Sequence, residues 1–470
     1  MNADYKSFES GLKYQRVENL MRPDNCNNNE QSDIIEIQPA EDCDSDLSEK
    51  CIELFDSNKS PLNLLMETYP MNIPIFDYSF IESFVRYYSQ SLPDSDILMN
   101  SIITSNRHNL DKLFTLNIFD LLYMKAPNSL QSILNIIKMN DRGSNYFGNS
   151  GGLCVLSHFS NLEDYQNIIS EILLVVSKKY VIDFGIELLG PCSLNIQNAT
   201  YQNLFHNLLS SQNIEVIKST LSSIENMYMV QSRSFELIEP FFIEVFNNLI
   251  DSLNPQLNNQ LNNHLNIQLD ATIDGYLNEE LNNTEIIVKI LEVSYYMNSH
   301  TLTPKLLYIC QIFLHQENEL AVIDSILFIE KSIGFICENF NQYSSLISSL
   351  FYSYENGTFK TKNHAVNAIS VFSLLCPSEF YLNFLDLGFF QLLSNYFQTP
   401  LSRQHVDLII NNLNLFMDKL QNHNICEFDK ASLSELHQTI QPFLSDPYDK
   451  IRLFTQNILN IIDNFLQEES

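Results

Sequence analysis

The sequence predicts an all-α protein: a right-handed α-solenoid of helices laid in register along the chain, behind a disordered acidic N-terminal tail. Three observations carry that prediction. The chain has only 11 Gly and no Trp against 45% hydrophobic residues, so it lacks the punctuation that the turns of an all-β or doubly wound protein require. From about Pro61 onward apolar residues recur at helical spacing, and strand-like alternation is nearly absent. The helical pattern itself repeats, at a period close to 45 residues in the C-terminal third.

The first 60 residues hold 14 acidic and 6 basic side chains, and between Asp24 and Asp56 there are 11 acidic against one basic. Such a segment cannot bury enough apolar surface to offset the entropy of ordering it, and residues 1–60 are expected to be a disordered acidic tail. A short amphipathic helix at its start would carry Tyr5, Phe8 and Leu12 on one side and could dock on a partner; a frayed terminus is the plainer reading. The whole chain carries 57 acidic and 26 basic residues, a net −31, so residues 61–470 are acidic as well. A surface of that sign repels phosphate backbones and anionic lipid, and neither nucleic acid nor membrane is an expected partner.

Within residues 61–470, short polar or Pro-bearing breaks such as Leu92-Pro93-Asp94 and Ser445-Asp446-Pro447 separate the helical stretches. Three segments 45 residues apart agree at positions i, i+3, i+4, i+7, one buried helix face. They are Ala368, Val371, Phe372, Leu375; Leu413, Phe416, Met417, Leu420; and Ile458, Ile461, Ile462, Phe465. The shorter pattern i, i+3, i+7 continues upstream in Val85, Tyr88, Leu92; Leu130, Ile133, Ile137; Leu173, Val176, Tyr180; Leu221, Ile224, Tyr228; Ile290, Val293, Met297; and Ile326, Ile329, Ile333. Successive first positions are 45, 43, 48, 69, 36, 42, 45 and 45 residues apart. The long interval contains NPQLNNQLNNHLNIQL, with an apolar residue every four. Such a stripe drifts by about 40° per step around a straight helix and cannot stay on one face. Residues 254–283 therefore read as a low-complexity Asn/Gln/Leu insertion, a surface loop that interrupts the period.

No catalytic constellation emerges, and the chain is expected to be non-enzymatic. Gly148-Asn149-Ser150-Gly151-Gly152 matches the G-x-S-x-G nucleophile elbow, but no strand precedes it and its expected role is an inter-helix loop capping a helix near Leu153. His315 with Glu317 and Glu319 is the nearest approach to a metal cluster, and its spacing suits a solvated helix end. No phosphate-cradling or dinucleotide motif is present, so no cofactor is expected. The nine Cys are scattered without a C-x-x-C pair, which suits reduced thiols in the cytosol or nucleus. Uncharged runs such as Asn363–Ser378 contain Asn, Pro and Ser and do not read as membrane spans.

On its period and apolar spacing, residues 75–468 resemble the armadillo/HEAT superfamily of α-helical repeat proteins. The resemblance implies a protein-binding scaffold or adaptor. In armadillo proteins the third helix of each unit lines a concave groove that holds an extended partner segment, with Asn side chains on its backbone. Asn367, Asn412 and Asn457, each immediately before the first core position of its segment, are the candidate partner-binding residues on that basis. Phe372, Tyr381 and Phe390 could supply aromatic surface to such a groove, although a Phe-rich chain buries most of its Phe in the core. The chain departs from the importin-α branch, whose groove uses Trp. An acidic groove for basic segments, as in a regulatory subunit or nuclear-transport receptor, is the alternative expectation.

Overall fold

In a computed structural model, the structure describes residues 42–69, 74–105, 107–179, 194–229, 239–253, 284–297, 302–425 and 429–467. The expected N-terminal amphipathic helix, most of the acidic tail, Tyr180 and the insertion at 254–283 lie outside the described residues. Every described element is helical, and the sole extended pairing among the described residues is an isolated parallel bridge between Asp42 and Ile75.

The chain divides into two compact units, Met1–Phe241 and Phe242–Ser470. In the first, the helices Ser95–Ser105, Leu130–Met139, Glu163–Lys179 and Ile214–Met229 pack in sequence, each against the next. Behind them lie shorter helices, of which Gly152–Phe159 packs on Leu194–Leu209. In the second unit, Thr284–Ser294, Glu319–Lys331, Phe359–Leu375, Arg403–Asn422 and Asp449–Gln467 form the corresponding row. The helices Thr303–Phe313, Ser345–Asn356, Phe389–Phe397 and Lys430–Ile440 lie behind it, packing on members of the row or on one another. All nine first core positions of the repeat fall on helices, and those of the second unit all fall in this row, here termed the register layer.

Burial explains why the register holds. Of the twelve positions in the three best-matched segments, Leu375 alone is exposed, at 43%, and the other eleven are buried. Leu375 is the last residue of its helix, where Cys376 already leaves helical geometry at ψ 152°. Polar caps start these helices. Thr358, Ser402 and Asn318 side chains accept from the N–H groups of Thr361, His405 and Ala321, satisfying donors that the first helical turn leaves unpaired.

The expected tail boundary at residue 60 is too late. Ser45–Asp56 is a helix, capped by the Asp44 carboxylate, that buries Leu47, Cys51 and Phe55 against the Tyr78–Ser89 helix. The Phe55 ring meets Phe80 at 5.4 Å, Phe84 at 5.9 Å and Tyr87 at 4.9 Å between centroids. Three apolar residues at i, i+4, i+8 suffice to dock a helix whose remaining faces are charged, and net charge over a window averages that stripe away.

Candidate protein-binding face

The Arg403–Asn422 and Asp449–Gln467 helices pack side by side as the last two members of the register layer. Their seam is polar. The Asn457 Nδ2 donates to Asn414 Oδ1 at 2.7 Å and to Asp418 Oδ1 at 3.3 Å, and Lys450 pairs with Asp407 at 3.2 Å. At about 100° per residue, the residues of the first helix that reach solvent beside this seam are Gln404, Leu408, Asn411, Leu415, Asp418 and Asn422. The second helix presents Leu453, Gln456, Asn460, Asp463 and Gln467. Forty-five residues separate Leu408 from Leu453, Asn411 from Gln456, Leu415 from Asn460 and Asp418 from Asp463. The repeat period therefore sets two matching stripes, each of leucine, amide and carboxylate, on adjacent helices.

Leu415 is 44% exposed and Leu453 67% exposed. They border a strip of amides and carboxylates that is itself hydrogen-bonded and so fixed in place. The nearby cations are engaged: Lys419 Nζ donates to the Leu374 carbonyl, Arg452 pairs with Asp449, and Lys450 with Asp407. The Asp463 carboxylate accepts from His437 Nε2 at 3.3 Å, with 53% of its side chain open to solvent. Such a surface offers apolar anchors, fixed hydrogen-bonding groups and net negative charge.

The three asparagines singled out in the sequence all sit on the register layer, and two of them bond to neighbouring helices. Asn412 is 3% exposed and its Nδ2 donates to Ser370 Oγ at 3.0 Å, linking its helix to Phe359–Leu375. Asn457 is half-buried in the seam just described. Asn367 is 7% exposed, and its Oδ1 has no hydrogen-bond partner. Asn412 and Asn457 thus stitch successive helices of the layer together. Phe372, Tyr381 and Phe390 are at most 4% exposed and lie in the core. In the last two helices the residue three after the asparagine reaches solvent, Leu415 after Asn412 and Asn460 after Asn457, whereas Ser370, three after Asn367, is buried.

The remaining motifs have structural roles. Gly151 adopts φ 84°, and a Cβ on Gly152 would lie 2.4 Å from the Phe147 ring, so both glycines are needed for the tight passage between Asp141–Asn149 and Gly152–Phe159. Ser150 Oγ shares a 2.8 Å hydrogen bond with the Tyr123 hydroxyl. His315 Nε2 lies 3.1 Å from Ser349 Oγ, its ring against Tyr352. No group of three metal-ligating side chains occurs among the described residues. An open depression of about 520 Å³ in the first unit is lined by Asp42, Ile75, Tyr78, His108, Asp111, Lys112 and Thr115. Beside it the buried Asn109 carboxamide accepts from Phe76 N–H and donates to the Pro74 carbonyl, both at 2.9 Å, holding the chain extended there. No described helix is long and apolar enough to cross a membrane.

No family model matches the sequence, and no curated protein matches it. Among solved structures, the chain is similar to a crystal structure of an engineered protein from the Northeast Structural Genomics Consortium. That match has a TM-score of 0.57 at 11% identity and covers 88% of this chain and 95% of the other. At that identity the likeness concerns fold alone, and what it establishes is an all-helical chain compatible with a helical repeat.

Proposed function

We propose that the protein is a non-enzymatic scaffold or adaptor of the armadillo/HEAT type, a right-handed solenoid that holds a partner protein on its register layer. The observation that carries the proposal is the pair of in-register stripes on Arg403–Asn422 and Asp449–Gln467, with Leu415 and Leu453 exposed beside an ordered amide and carboxylate seam. Repeated units create a long surface whose chemistry recurs at each step, which suits an extended partner better than a small molecule. The proposal places the protein in the cytosol or nucleus, with no cofactor and no membrane or nucleic-acid partner.

A second reading gives the same face a basic partner segment, as for a regulatory subunit or transport receptor. It is favoured by Asp418 and Asp463, which leave the face negative while its lysines are turned to other groups. Affinity capture with the parent chain and an L415D/L453D variant, at low and high salt, tests both. A partner held by the parent at both salt concentrations and lost from the variant supports the scaffold. Basic proteins released by salt support the second reading, since exposed charge pairs are screened within about 10 Å at 0.1 M salt. The same proteins recovered on both chains would refute the assignment of this face.

A further inference from the structure

The cations of the second unit are unevenly placed. Of the ten Lys and Arg between Phe242 and Ser470, five lie within the first four residues of three consecutive register-layer helices. They are Lys360 and Lys362 on Phe359–Leu375, Arg403 on Arg403–Asn422, and Lys450 and Arg452 on Asp449–Gln467. The 45-residue register sets Lys360, His405 and Lys450 in equivalent positions. The starts of these helices are neighbours. Arg403 reaches Asp446 at 3.7 Å and stacks on the Tyr448 ring at 4.0 Å, while Lys450 pairs with Asp407.

Two features make this more than a scatter of surface charge. First, the start of a helix favours acidic side chains, because the unpaired N–H groups there already carry partial positive charge. Phe359–Leu375 and Arg403–Asn422 nonetheless have no acidic residue in the first turn. Arg403, Lys450 and Arg452 are held by Asp446, Asp407 and Asp449, whereas Lys360 and Lys362 open a helix without a first-turn carboxylate, pair with no carboxylate among the described residues, and work against helix stability there. Second, the edge carries exposed apolar groups: Phe359 is 52% and Tyr448 54% exposed. Lys360 is exposed, and among the described residues no ion-pair partner faces it; Lys362 lies 5.6 Å from the Tyr354 ring.

We propose that this edge of the second unit docks an acidic peptide segment of a partner protein. Carboxylates would meet Lys360, Lys362 and the positive start of their helix, and apolar residues of the peptide would lie on Phe359 and Tyr448. A short peptide feels mainly the charges within a Debye length, whereas a long polyanion such as nucleic acid also meets the negative remainder of the chain. The docking edge is separate from the Leu415 and Leu453 stripe and does not depend on the function proposed for that face.

The test uses the full chain, with fluorescence anisotropy of a labelled peptide of alternating glutamate and phenylalanine. Its glutamine counterpart and a single-stranded oligonucleotide are the comparison probes. The K360E/K362E variant reverses the two foremost charges, and Lys→Glu in a first turn favours the helix, so misfolding does not explain a loss of binding. Binding of the glutamate peptide that weakens at least about tenfold in this variant and in high salt, while L415D/L453D leaves it unchanged, is the expected result. Equal binding of the glutamine peptide, tighter binding of the oligonucleotide, an unaffected K360E/K362E variant, or no binding would each overturn the proposal.

Discussion

Glu330 occupies a core position of the register layer, and its titration gives a direct test of the packing. In the i, i+3, i+4, i+7 pattern it stands where the next three segments place Phe372, Met417 and Ile462. It is 6% exposed, and burial alone pushes its carboxyl from the ordinary 4.5 up to about 8. Among the described residues no charged group faces it closely enough to contribute. The folded chain therefore keeps a proton that the unfolded chain releases between about pH 4.5 and pH 8. On account of this residue stability falls as pH rises through that window, by about 1.4 kcal/mol per pH unit. The shift of roughly three and a half units sets an upper bound of about 5 kcal/mol on the penalty above pH 8. The perturbation is E330M, which installs the Met417 equivalent, with E330Q as a polar isostere. Urea unfolding of the second unit, followed by circular dichroism from pH 5 to 9, reads the difference between variant and parent, in which the other acidic residues cancel. E330M should gain on the parent steadily with pH and level off above pH 8. A difference that stays flat with pH would mean that Glu330 reaches water, and the buried placement of this helix face would be refuted.

Other expectations follow from named contacts. N412A should cost about 1–2 kcal/mol, because it removes a buried hydrogen bond to Ser370, and lower the melting temperature by a few degrees. A loss of partner binding with no loss of stability would instead return Asn412 to the role that the family resemblance implies. Burial, with Lys360 and His405 alongside, pulls the His364 imidazole from 6.5 down to about 4. Its folded form thus resists protonation, and its contribution to stability is lost as pH falls from about 6.5 through 4. Its ring signal in NMR should not titrate between pH 8 and 5. Cys310 is fully buried and its thiol is pushed up, whereas Cys154 is exposed. Mass spectrometry after brief alkylation of the native chain should find Cys154 labelled and Cys310 unlabelled.

What the sequence revealed depended on whether a signal was periodic. The all-helical character and the positions of the register helices were legible because a buried face repeats every three or four residues and the units repeat near 45. The Ser45–Asp56 helix was hidden, since its stripe of Leu47, Cys51 and Phe55 is diluted by charge. Glu330 escaped notice because the shorter three-position pattern skips the place it fills. The candidate face was only partly legible. The asparagines fall on helices of the register layer, but periodicity alone does not say whether a residue flanking the core turns to solvent or to the next helix. Asn412 and Asn457 turn to the neighbouring helix, because a long amide there reaches Ser370 or Asn414 on it.

The central claim is that the register layer holds a partner protein while the layer behind it serves packing. Photo-crosslinking in cells, with a benzophenone side chain placed in turn at Leu415, Leu453 and the exposed Gln438 on the other layer, tests it most directly. The account predicts a discrete crosslinked protein at Leu415 and Leu453 and none at Gln438. Equal crosslinking at all three, or a product at Gln438 alone, would contradict it.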